Sequence, residues 1–179
     1  METYIALLRG INVSGKNIIK MANLQKALSN ISCFEPKTYL QSGNIVFNFA
    51  NSSTAELEKS ISECIEKEFL LKIETFVFLA DEFREIVLRN PFLGEADELF
   101  PKDYYICFLR EKPIADVAEM LKSKITAGEE VRQIEKALYL RYPNGYGKSK
   151  LDNNSIEAKL KTRASTRNVR TCQELLKMI

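Results

Sequence analysis

A chain of 179 residues with 45% hydrophobic and 28% charged positions and a net charge of +2 is long enough to bury a sizeable core as one domain or two small ones. It lacks the composition of a disordered, collagenous or disulfide-framed protein. It contains no histidine, which excludes Ser-His-Asp and Cys-His nucleophilic machinery, histidine general bases and the commonest zinc ligand.

No apolar run approaches the roughly 20 residues that span a bilayer, and Met1-Glu2-Thr3-Tyr4 lacks a basic leader region, so a cytoplasmic location is expected. Cys33, Cys64, Cys107 and Cys172 are scattered without a CxxC pair, which suits reduced, partly buried thiols. From Arg141 onward nine lysines and arginines face three acids, giving +6 and leaving −4 on the first 140 residues. Such a basic end suits an anionic partner, although solvated lysines have the same composition.

In chain order, Tyr4 to Arg9 reads as a buried strand and Gly10 to Lys16 as a glycine-bounded polar loop. Met21 to Ser29 has helical spacing. Lys37 to Leu40 and Asn44 to Phe49 are strands around the turn Gln41-Ser42-Gly43. Thr54 is placed as the N-cap of an amphipathic helix through Glu68, and Glu74 to Ala80 returns as a strand. Asp81 opens a helix ended by Asn90-Pro91, and Leu93 to Lys102 is a connector rich in Gly, Pro and acids.

Tyr105-Ile106-Cys107-Phe108-Leu109-Arg110 then echoes Tyr4-Ile5-Ala6-Leu7-Leu8-Arg9 at four of six positions with one shift of 101. A helix follows over Pro113 to Ser123, then a hairpin of Glu130 to Ile134 and Ala137 to Tyr142. The remainder is a helix from about Lys150 to Leu160, an extended piece near Arg163 to Thr166, and a closing helix over Asn168 to Met178. The order β-α-β-β-α-β therefore occurs twice. The expected fold is α+β: two tandem ferredoxin-like (β-α-β-β-α-β) repeats packed together, with an extra linking helix and a C-terminal helix. The expected divisions are 1–80, 81–102 and 103–179.

Gly10-Ile11-Asn12-Val13-Ser14-Gly15-Lys16 has the GxxxxGK spacing of a phosphate-cradling loop. Position 17 is Asn, which removes the metal-binding hydroxyl, and Ile18 and Ile19 delay the helix. Phe76 to Asp81 imitates a Walker B strand, yet the strand order gives no parallel nucleotide-binding sheet. Aromatics on the strands could stack on RNA bases, but the expected signature is missing around Gly43 to Phe49, so core packing is the better account.

Asn144-Gly145-Tyr146-Gly147-Lys148-Ser149 is richer than a turn requires. Ser149 can N-cap the next helix with Asp152 three residues on, and a helix start beside Lys148 and Lys150 can hold an anion. No base is evident to make Ser149 a nucleophile. Thr166-Arg167-Asn168 supplies a natural cap and an arginine able to bind phosphate or carboxylate.

Several stretches together resemble the bacterial domain-of-unknown-function 1697 family. They are Ala6 to Val13 with Gly15-Lys16-Asn17, Thr38 to Phe47, Asn90-Pro91-Phe92, Tyr142 to Gly145 with Gly147 to Leu151, and Thr166-Arg167-Asn168. The chain departs at Ser14 and Val169, where a glycine and an aromatic are common. The resemblance implies a cytoplasmic protein with a duplicated α+β fold and implies no reaction.

Resemblance and loop chemistry converge on Arg9, Asn12, Lys16, Gln41, Ser42, Asn44, Asn144, Lys148, Ser149, Arg167 and Asn168. These residues are expected to meet near the seam between the repeats. They would bind a small anionic ligand, a nucleotide or nucleic-acid phosphate, with no cofactor or metal and no membrane partner. The alternative is a histidine-independent hydrolase or transferase acting on a phosphorylated substrate. A third option, a protein-interaction scaffold, predicts an exposed apolar patch instead.

Overall fold

The computed structural model describes residues 1–31, 34–92, 102–114 and 116–179. Cys33 and the connector from Leu93, all but Lys102, lie outside the described residues. The fold is α+β, with two four-stranded antiparallel sheets and six α-helices among the described residues. Contacts divide the chain into two units, Met1–Arg84 with Leu175–Ile179, and Glu85–Glu174.

In the first unit the order is β1 (Glu2–Leu8), α1 (Met21–Ser29), β2 (Phe34–Tyr39), β3 (Asn44–Phe49), α2 (Thr54–Phe69) and β4 (Thr75–Leu79). The strands lie in the order β2-β3-β1-β4. Alternate side chains of β1 point to opposite faces. Tyr4, Ala6 and Leu8 join Ile45, Phe47 and Val77 in a core closed by Leu24 and Leu28 of α1 and Leu57, Ile61 and Ile65 of α2. Ile5, Leu7, Val46 and Phe76 are buried as well, so β1 is apolar and buried on both faces from Tyr4 to Leu8. The edge strand β2 carries Pro36 and an irregular register between Phe34 and Lys37, with Glu35 at φ 50°. Proline and a bulge are what a sheet edge tolerates and an interior strand does not.

The cap of α2 is Ser53, one residue before the expected Thr54. Its hydroxyl accepts from the Glu56 N–H while the Glu56 carboxylate accepts from the Ser53 N–H, a reciprocal capping box. The Ser53 hydroxyl foremost, then its N–H and the Ser52 hydroxyl, hold the Glu56 carboxyl below its usual range. A lowered carboxyl pKa stabilises the fold above the unfolded value and stops doing so as pH falls through the folded one. Loss of the helix cap in Ser53→Ala is expected to cost about 1 kcal/mol at neutral pH. It should also flatten the acid limb of stability below about pH 5, both readable from urea melts between pH 3 and 7.

α3 (Ala80–Leu88) follows β4 directly. The second unit then runs β5 (Tyr104–Leu109), α4 (Val117–Leu121), β6 (Glu130–Ile134), β7 (Ala137–Arg141), α5 (Asn153–Leu160), β8 (Ala164–Asn168) and α6 (Val169–Leu176). A 3-10 turn over Tyr146–Lys148 precedes α5. The sheet order is β6-β7-β5-β8. Cys107, Leu109, Leu138, Leu140 and Ala164 face Val117, Leu121, Leu151 and Ile156 in its core.

The two ladders agree bond for bond at their ends. Leu8 N–H donates to Gly43 O and Leu109 N–H to Lys136 O, both at 2.8 Å, while Arg9 N–H donates to Glu74 O and Arg110 N–H to Arg163 O, both at 2.9 Å. α4 is shorter than the expected Pro113 to Ser123, because Asp116 caps it through the N–H groups of Ala118 and Glu119. No helix among the described residues is long and apolar enough to cross a membrane.

Candidate functional site

In the first unit the loop between β1 and α1 is wound by left-handed backbone. Gly10, Asn12, Ser14, Gly15 and Asn17 have φ of 69°, 54°, 49°, 74° and 49°. Non-glycine residues reach this region at a cost of roughly 1–2 kcal/mol each, least for asparagine. Asn12 holds the loop in this state. Its Nδ2 donates to Ile19 O at 2.9 Å and to Gln41 O at 2.8 Å, and its Oδ1 accepts from Ile19 N–H at 2.8 Å. Asn17 Nδ2 closes the loop's base on Gly10 O at 3.0 Å.

Lys16 N–H donates to Val13 O at 2.9 Å and α1 starts only at Met21. The Lys16 amide is thus spent inside the loop and no helix starts at the lysine, two departures from the phosphate cradle that the GxxxxGK spacing suggests. Lys16, Lys20 and Gln41 are exposed and Arg9 is half-buried. Asn44 is fully buried, its Nδ2 donating to Tyr39 O and to Ser42 Oγ, both at 2.9 Å, which fixes the turn into β3.

In the second unit the Tyr142 to Ser149 stretch is clasped by aromatic rings. Tyr105, Tyr142 and Tyr146 sit with centroids 5.3–5.4 Å apart. Tyr142 donates its hydroxyl to Leu151 O at 2.8 Å, and burial pushes that hydroxyl's pKa strongly up. The helix cap here is Asp152, whose carboxylate accepts from Ser155 N–H at 2.8 Å. Ser149 caps instead the turn before it, its hydroxyl accepting from Leu151 N–H at 2.9 Å. The expected capping role thus passes from Ser149 to Asp152 because α5 begins at Asn153. Asn144 and Lys148 are exposed.

Asn168 secures the start of α6, accepting from Arg170 N–H at 2.9 Å and donating to Lys102 O at 2.8 Å. Arg167 is 8% exposed, and its Nη1 donates to Ser165 Oγ and Thr166 O, both at 3.0 Å. Desolvation brings its pKa down to about 10, so it remains a cation at neutral pH. Cys172 is fully buried, and desolvation pushes its thiol up to about 12, partly offset by Arg167. Cys107 is fully buried as well, so a thiol reagent is expected to leave both thiols unmodified in the native protein and to label both in urea. Peptide mass mapping reads the difference.

The eleven expected residues thus divide by unit. Arg9, Asn12, Lys16, Gln41, Ser42 and Asn44 stand at the end of the first sheet where β1 finishes and β3 begins. Asn12 joins the 10–19 loop to Gln41, and Asn44 joins Ser42 to Tyr39. Asn144, Lys148, Ser149, Arg167 and Asn168 belong to the second unit, on the loop before α5 and on β8. Two features carry no sequence signal. Val13, Ile18 and Leu40 are exposed by 57%, 62% and 56%, and the left-handed Leu40, φ 57°, leaves the strand its side chain suits. A cavity of about 320 Å3 in the second unit is lined by Arg110, Glu111, Glu157, Lys161, Thr162 and Arg163. Glu157 pairs with Arg163 at 3.7 Å, and Lys161 sits at the carbonyl end of α5.

The model of a family described as "Protein of unknown function (DUF1697)" matches residues 1–139, more than half of the chain. The chain belongs to this family. The DUF1697 match takes in the whole loop and turn at the end of the first sheet and stops before Tyr142. No curated protein matches the sequence. A solved structure titled "The structure of conserved bacterial protein SP0830 from Streptococcus pneumoniae" is similar in fold, with a TM-score of 0.73 at 21% identity over 99% of this chain and 98% of that one.

Proposed function

We propose that this DUF1697 protein is a non-catalytic module that binds an anionic ligand through the loop end of its first sheet. The observation that carries the reading is the hold of Asn12 on residues 10–19. A loop that keeps three non-glycine residues left-handed stores strain, and folds retain such strain where a surface must be preset. What this loop presets is Lys16, with Lys20, Gln41 and Arg9 around it. In the proposal these four touch the ligand, while Asn12, Ser42 and Asn44 hold them in place. Within the second unit taken by itself, Asn144 and Lys148 are proposed as anion contacts, with Ser149, Arg167 and Asn168 holding that loop and the start of α6.

The matching strand-end bonds and strand orders support a further reading, that the chain is a duplicated, ferredoxin-like pair of repeats, 1–80 and 103–179 linked through 81–102. A cytoplasmic location is part of the same proposal.

Thermal shift against nucleotides, polyphosphate and short RNA tests the function. A ligand at 100 times its dissociation constant adds about 2.7 kcal/mol of stability. That shift is expected in the wild type and is expected to fall at least tenfold in ligand potency for Lys16→Ala. Equal shifts in both proteins, or none with any of these anions or with the acidic peptides described below, would remove the loop as the site.

A further inference from the structure

The three most exposed aliphatic side chains near the Asn12-held loop stand among lysines. Val13 and Ile18 are on the loop, and Leu40 precedes Gln41. One nitrogen, Asn12 Nδ2, bonds both Ile19 O and Gln41 O, so the segments carrying Ile18 and Leu40 lie within two hydrogen-bond lengths of each other. From Thr3 to Phe34 the sequence has four cations, Arg9, Lys16, Lys20 and Lys26, and no acid. Lys16 and Lys20 are the two cations on the loop segment that carries Val13 and Ile18, and both are exposed.

We infer that the anionic ligand is an acidic segment of a partner protein carrying aliphatic side chains, seated on Val13, Ile18 and Leu40 between Lys16 and Lys20. This rests on the loop being the binding surface, as proposed above, and adds the chemistry of the occupant. A bare phosphate chain uses the lysines and leaves three aliphatic groups in water. Nucleic-acid bases would be expected to meet several aromatic rings, which sequence-tolerant single-strand binders use as stacking platforms; none lies between Arg9 and Lys20, and the half-buried Tyr39 beside Leu40 is a single ring. Apolar area together with complementary charge is the character of a protein interface. The loop's preset shape lowers the ordering cost that binding otherwise carries.

The test uses the full chain and three fluorescent probes of equal charge: a peptide alternating Glu and Leu, the same peptide with Ser for Leu, and polyphosphate. The Glu-Leu peptide is expected to bind at least tenfold tighter than the Glu-Ser peptide, a difference of about 1.4 kcal/mol. The double variant Ile18→Ser, Leu40→Ser should erase that difference and leave polyphosphate binding unchanged. Lys16→Glu should weaken all three. Both aliphatic positions are exposed, so thermal melting of the double variant should match the wild type. Equal binding of the two peptides, or polyphosphate binding tightest with Lys16 still required, overturns the acidic-segment inference and leaves the anion-binding function standing. Lys16-independent binding, or none by any probe, overturns both.

Discussion

Gly43→Ala is expected to be the most damaging single-methyl change in the first unit, costing about 2–5 kcal/mol. Gly43 holds φ at 74°, and a Cβ there would meet Leu8 Cβ at 2.7 Å and the Ile11 side chain at 2.8 and 3.0 Å. The left-handed backbone contributes roughly 1–2 kcal/mol for any L side chain. Overpacking against two buried neighbours contributes about 1–3 kcal/mol more. Leu8 Cβ is attached directly to a strand whose N–H donates to Gly43 O, so it cannot swing aside as a side-chain tip would. Gly10→Ala is the control. Its φ is 69° with no heavy atom within 4 Å of the added Cβ, so only the backbone cost of roughly 1–2 kcal/mol remains. Urea denaturation with an unchanged slope compares the two. Equal losses would mean that the close approach of the 41–43 turn to Leu8 and Ile11 is not part of the fold.

Replacing Asn12 with alanine is expected to cost about 2–4 kcal/mol, from three hydrogen bonds lost and the N–H and C=O of buried Ile19 left without their amide partner. Alanine also enters the left-handed region less readily than asparagine. Asn12→Asp separates the contributions, because it keeps the acceptor for Ile19 N–H while setting a carboxylate against two carbonyl oxygens. It is expected to be no more stable than Asn12→Ala at pH 7 and to recover as the pH is lowered and the carboxyl takes a proton. Beyond stability, both variants should lose Lys16-dependent binding at temperatures where they remain folded. Binding at wild-type strength in a folded Asn12→Ala protein would show that the loop need not be preset.

The strands and the longer helices were legible because periodicity is a property of many residues at once. Asn44 to Phe49, Glu130 to Ile134 and Met21 to Ser29 appear with the expected bounds, the first and last written in a repeating apolar pattern. Caps rest on one side chain and slip by a few residues. Ser53 and Thr54 are both good caps, and the choice fell to the one whose partner three residues on is Glu56. Ser149 and Asp152 are both good caps too, and Asp152 takes α5 because the Tyr142 hydroxyl holds Leu151 in the preceding loop. The polar loop residues were the hardest to read. An asparagine that binds a ligand and one that binds its own backbone look alike in sequence, and Asn12, Asn44 and Asn168 all spend amide groups on main-chain atoms. The exposure of Leu40 was hidden for a related reason, since a leucine at the end of a strand pattern does not announce a left-handed turn.

The bond from Arg9 N–H to Glu74 O, matched by that from Arg110 N–H to Arg163 O, shuts the sheet before the chain leaves for its first helix. Whatever follows that point is spliced outside a finished ladder. In the first unit this exit carries the wound loop with its lysines, and in the second it leads toward α4, capped by Asp116. Lengthening such a segment costs little loop entropy. The exit is thus a splice point: extra residues entering at exposed Ser14 and Gly15, clear of buried Ile11 and Ile19 and of the Asn12 bonds, would leave the hydrogen bonds that define the sheet as they are.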